Sequence, residues 1–135
     1  VTDIGIGAFR YTGFKGTLTL PDSLITVGRS AFEDLAFTGD LTIPENVTSI
    51  AEFGFEGLEN VTGTLRIKGD LQTCDDLAFH YGGFSEIILE EGVTSIGEKA
   101  FLGCKSLTSI TLPAHITNID ELDIPEGTRI IRENV

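Results

Sequence analysis

Basic residues are scarce in this chain: 9 Lys and Arg stand against 21 Asp and Glu, for a net charge of -12. A surface of that sign repels phosphate backbones and anionic membranes, so no nucleic-acid partner is expected. Cysteine is scarcer still. Cys74 and Cys104 are the whole complement, too few for a disulfide framework and without the paired spacing of a zinc site. No apolar run approaches the length of about 20 residues that spans a bilayer as a helix, so no membrane insertion is expected. The initiator methionine is missing too: the chain starts at Val1, which predicts a mature or trimmed piece of a longer protein. Apolar residues, by contrast, make up 41% of 135 residues, enough for one folded domain with a real core.

That apolar content is periodic. VTDIGIGAF (Val1 to Phe9), LITVGRSAF (Leu24 to Phe32), VTSIAEFGF (Val47 to Phe55), LQTCDDLAF (Leu71 to Phe79) and VTSIGEKAF (Val93 to Phe101) share one template. An apolar-x-x-apolar start is followed by four variable residues and a phenylalanine. The aligned phenylalanines Phe9, Phe32, Phe55, Phe79 and Phe101 are spaced by 23, 23, 24 and 22 residues. A second block follows each of them: LTLP at Leu18, LTIP at Leu41, LRIK at Leu65, IILE at Ile87 and ITLP at Ile110.

A period in this range is the mark of a repeat array. One unit cannot bury its apolar side chains alone, but stacked units can. Each Leu-x-Leu or Ile-x-Leu block alternates inward and outward side chains, as a strand with one buried face does. Equivalent blocks then pair in parallel, and the fold class expected is mainly β, a solenoid with two short parallel strands per repeat. Residues 1–135 form a single domain on this reading, with five full units. In the last stretch, 114–135, Asp120-Glu121 leads straight into Leu122-Asp-Ile124-Pro125 without the AF turn. It is expected to be a truncated terminal repeat or an irregular C-terminal cap.

Units of the form VTSIGEKAFLGCKSLTSITLP resemble the BspA-type leucine-rich repeats, a family of repeats of roughly 23 residues found mainly in bacterial surface proteins. The resemblance covers nearly the whole chain. It implies a leucine-rich-repeat solenoid, an extracellular or cell-surface location, and non-catalytic binding or adhesion with an extracellular protein or host-matrix component as partner. The alternative it leaves open is an accessory carbohydrate-binding or targeting module of a secreted hydrolase.

Chemistry-bearing residues were weighed against the register. Cys104 aligns with Leu35 and Leu58, and Cys74 with Ile50 and Ile96, so both are expected to fill the core. His80 falls in a variable turn after the AF pair, and His115 follows Pro113. The register places no nucleophile beside either histidine, so no catalytic residue is expected. The acidic residues follow no calcium-loop pattern, and neither metal nor cofactor is expected.

What remains is the outward row of the longer sheet. Its middle residues are expected to be Thr19, Thr42, Arg66, Ile88, Thr111 and Asp123; two places earlier lie Thr17, Asp40, Thr64, Glu86, Ser109 and Glu121. Arg66 and Ile88 interrupt a threonine row in adjacent units, and the fourth repeat also carries Tyr81 in its turn. Arginine and aromatic residues are enriched at binding hot spots. The candidate ligand-binding set is therefore Arg66, Ile88 and Tyr81, with Thr42, Thr111 and Glu86 around them. Six such strands expose only about 250 Å² of flat sheet, so binding by this domain has to recruit its turns or further repeats.

Overall fold

The computed structural model describes residues 1–69, 71–117 and 119–133. Among these, eleven short strands follow in chain order: β1 (Asp3–Ile4), β2 (Lys15–Gly16), β3 (Thr26–Val27), β4 (Ala36–Phe37), β5 (Leu41–Ile43), β6 (Ser49–Ile50), β7 (Thr64–Ile67), β8 (Thr73–Cys74), β9 (Glu86–Leu89), β10 (Ser109–Pro113) and β11 (Arg129–Glu133). All pairings are parallel, in sheets ordered β1-β3-β6-β8, β5-β7-β9-β10-β11 and β2-β4. Repeat on repeat, this is a parallel β-solenoid, as the period predicts.

The core runs the length of the stack. Leu41, Leu65, Ile87 and Ile110 share one register position, and all four are buried. The aligned phenylalanines stack ring on ring: centroids lie 5.3 Å apart for Phe9–Phe32, 5.1 Å for Phe32–Phe55, 5.4 Å for Phe55–Phe79 and 5.7 Å for Phe79–Phe101. Backbone hydrogen bonds track the same step, with Phe9 N–H donating to Ala31 C=O at 2.8 Å and Phe55 N–H to Ala78 C=O at 2.9 Å.

Each AF turn is bracketed by two left-handed residues. Two places before the phenylalanine stand Gly7, Ser30, Phe53, Leu77 and Lys99; two places after it stand Tyr11, Asp34, Gly57, Tyr81 and Gly103, all with φ between 56° and 80°. Nothing but this backbone rule joins such different side chains. It turns the chain sharply on both sides of the buried ring, at a cost of about 1 kcal/mol or more wherever a side chain other than glycine or Asn/Asp is used.

Two expected strands are different. Leu18–Pro21 does not pair with β5. Gly16, at φ 94°, ends β2, and the chain then bows away from its neighbour between two anchors, Thr38 N–H to Gly16 C=O at 2.8 Å and Asn46 Nδ2 to Asp22 C=O at 3.0 Å. Among the described residues the first unit pairs with a neighbour on one side only, so less holds it in register. At the other end Leu122-Asp-Ile124 is not a strand. Residues 119–122 form a short 3-10 helix and Asp123 is left-handed at φ 58°, so the segment leaves the extended backbone that a ladder needs. The sixth strand is β11 instead, drawn from the EGTRII segment, with Thr111 opposite Ile131.

Candidate functional site

The register builds the outward row of the five-stranded sheet directly. Thr42 pairs with Arg66, Arg66 with Ile88, Ile88 with Thr111 and Thr111 with Ile131. The neighbouring row runs Thr64, Glu86, Ser109, Arg129. Arg66 and Ile88 are thus side by side, as the sequence predicts, and both are half-buried. Arg66 reaches Glu90 Oε2 at 3.2 Å, and Thr64 Oγ1 donates to Glu86 Oε1 at 3.2 Å. The Arg66–Glu90 pair is open to solvent, so it orients the guanidinium and contributes little stability, at most about 1 kcal/mol.

Three members of the expected row are corrected. Asp123 is replaced by Ile131, for the reason given above. Thr19 lies on the segment that bows away from β5, beside Thr42, Asp40 and Lys68 in an open polar cleft. Thr111 faces outward by register but is only 6% exposed, because Ile88 and Ile131 flank it. Of the set, Thr42 is exposed and Glu86 half-buried.

Tyr81 is not part of this face. It sits in the AF turn of the fourth unit, in a separate small cleft with Glu59, Gly82, Gly83, Gly103, Lys105 and Ser106. Its ring stacks on His80, centroid to centroid 3.7 Å and 24° from parallel.

His80 belongs to a row the sequence does not announce. The residues immediately after the first four aligned phenylalanines are Arg10, Glu33, Glu56 and His80, and stacking of the units places them in succession. Arg10 Nε lies 3.0 Å from Glu33 Oε2, and His80 Nδ1 lies 3.5 Å from Glu56 Oε1. Neither contact has hydrogen-bond alignment, so Glu33 Oε2 and His80 Nδ1 are buried without a hydrogen bond. The His80 and Glu56 side chains are 14% and 17% exposed, where a variable surface turn was expected. Glu33, Glu56 and His80 are covered by their neighbours above and below, while the Arg10 side chain stays 47% exposed.

Burial shifts two members of the row, Glu56 and His80. It pushes the Glu56 carboxyl up to about 6, with repulsion from Glu33 and Asp34 adding to it and Arg10 opposing. Burial also lowers His80, which keeps it neutral near pH 7. A carboxyl with a folded-state value above its unfolded one disfavours the fold when ionised; that penalty is present above pH 6 and fades as pH falls towards the unfolded value. Glu56→Gln should therefore raise the thermal midpoint at pH 7.5, with the gain gone by about pH 4. A lower midpoint at pH 7.5 would mean that attraction to Arg10 or His80 outweighs burial.

Cys74 and Cys104 are free and buried, and burial pushes each thiol up to about 12. Cys104 Sγ donates to Phe79 C=O at 3.4 Å, filling the core position that leucine takes elsewhere. Among the described residues no group of three or more His, Cys, Asp or Glu side chains is placed to hold a metal ion. No helix among them is long and apolar enough to cross a membrane.

Comparison with known families gives a match over nearly the whole chain: a family model described as BspA type leucine rich repeat region fits residues 2–134 in six copies. No curated protein and no solved structure matches the chain.

Proposed function

Because the chain belongs to the BspA-type leucine-rich repeat family, a repeat architecture of bacterial surface proteins, we propose that it is a non-enzymatic protein-binding domain acting in adhesion. It works at the cell surface or in a secreted protein, and its partner is an extracellular protein or a component of a host matrix. The observation that carries this reading is the Arg66–Ile88 pair, a cation beside a branched apolar side chain in register on a sheet face whose other outward positions include Thr42, Thr64, Glu86, Ser109 and Ile131. That combination supplies both a directional contact and desolvated area.

The experiment is binding of the domain to immobilised extracellular-matrix proteins. Arg66→Ala combined with Ile88→Thr removes both the cation and the branched apolar side chain and touches none of the buried core residues. It should weaken binding by about tenfold or more. Unchanged binding by the double variant would remove the sheet face from the interface, and no binding by the parent domain would refute the reading.

A further inference from the structure

The solvent face of the sheet carries no exposed aromatic side chain, but the turn ridge does. The chain has two tyrosines, and both occupy the same place in their units, two residues after the aligned phenylalanine. Tyr11 is 60% exposed and Tyr81 is 46% exposed. The backbone there is left-handed in every unit, and the other units fill it with Asp34, Gly57 and Gly103, residues that accept that conformation readily. Tyrosine does not.

This backbone geometry throws the side chain over the following repeat. A methyl group on Gly57 would collide with the Asp34 carboxylate, and one on Gly103 would collide with the Cδ1–Cε1 edge of Tyr81. Tyr81 is thus held from two directions, by the His80 imidazole against its ring and by Gly103 under one edge. An aromatic group already fixed in this way loses little freedom on binding.

Around it lies the cleft of about 250 Å³. That is smaller than the roughly 300–1,000 Å³ of sites for drug-sized ligands, so it takes about one ring at a time. Gly103 is partly exposed and leaves the backbone open there, while Glu59 supplies an acceptor, Lys105 a donor and Ser106 both. An aromatic platform ringed by alternating donors and acceptors fits a ligand with apolar C–H faces and hydroxyl edges. Glu59 and the net charge of -12 disfavour an acidic one. We propose that the Tyr81 cleft is a binding site for a neutral pyranose unit of a glycan, separate from the protein-binding sheet face. Tyr11 is not a second copy: Arg10 sits 4.6 Å from its ring centroid, and the next unit places Asp34 where Gly103 supports Tyr81.

The test is an amide-resolved NMR titration of the whole domain with triacetylchitotriose, cellotetraose and maltotetraose, with sialyllactose as the acidic control. At least one neutral probe should give saturable shifts at Tyr81, Gly82, Gly103, Lys105 and Ser106, and should do so equally in the Arg66→Ala/Ile88→Thr variant. Tyr81→Asn keeps a residue that tolerates the left-handed backbone; it should weaken binding about tenfold or more with an unchanged amide spectrum elsewhere, whereas Tyr11→Asn should bind as the parent does. Saturation by none of the neutral probes, equal binding by Tyr81→Asn, or preference for sialyllactose would each overturn the proposal.

Discussion

Phe55→Ala should destabilise the domain by about 3–5 kcal/mol, a large share of the 5–15 kcal/mol that typically holds a domain together. Phe55 is fully buried, and both faces of its ring are occupied, by Phe32 at 5.1 Å and 5° and by Phe79 at 5.4 Å and 3°. Removing it leaves a void that two flanking rings, each fixed by its own backbone hydrogen bond to the next unit, cannot close. In a one-dimensional stack each unit touches only its neighbours, so a break at the centre weakens the coupling between the two halves. Urea unfolding should show an earlier midpoint, and a shallower slope if the halves separate. Phe9→Ala is the control, since Phe9 is only partly buried at one end of the ladder and should cost clearly less. Equal losses at the two positions would mean that the ladder is not where the stability resides.

The ladder was legible because it depends on spacing alone. One phenylalanine per 22 to 24 residues, each followed by an alternating apolar block, has few other solutions than stacking. The left-handed brackets around each ring were not legible, because Ser30, Phe53, Leu77 and Lys99 have no shared side-chain chemistry; the backbone requirement comes from the sharp turn, and the stack tolerates what each residue costs. The Arg10–Glu33–Glu56–His80 row was hidden for a related reason. Its members vary as surface residues do, yet a repeat step of little more than 5 Å covers Glu33, Glu56 and His80 with their neighbours. At the C-terminal end the sequence pattern misleads, since Leu122-Asp-Ile124-Pro125 imitates the LTLP block while Leu122 is drawn into the 3-10 helix of residues 119–122 and Asp123 turns left-handed. The Arg66–Ile88 adjacency was readable from register, but the separation of Tyr81 from that face needed the turn geometry.

Phe84→Ala should cost about as much as Phe55→Ala, roughly 3–5 kcal/mol, and Gly82→Leu should recover most of it. The fourth unit is the irregular one. Three residues after the aligned phenylalanine, other units place Leu35, Leu58 and Cys104, all buried; the fourth unit has Gly82. The missing volume is supplied by Phe84, which is fully buried and meets the Phe79 ring edge-on at 6.2 Å and 72°. A Cβ on Gly82 would run into that same ring, so the glycine and the phenylalanine are two halves of one substitution. Gly82→Leu alone should therefore overpack the core by about 1–3 kcal/mol, while the double variant puts a leucine back at the position of Leu58 and Cys104. The two single losses should then far exceed the loss in the double variant, with a coupling energy of about 3 kcal/mol or more. Additive losses would mean that Gly82 is required by its own backbone rather than by Phe84. On the coupled outcome, the HYGGF irregularity divides cleanly: Gly82 and Phe84 are a volume exchange within the core, and what the fourth unit holds out to solvent is His80-backed Tyr81.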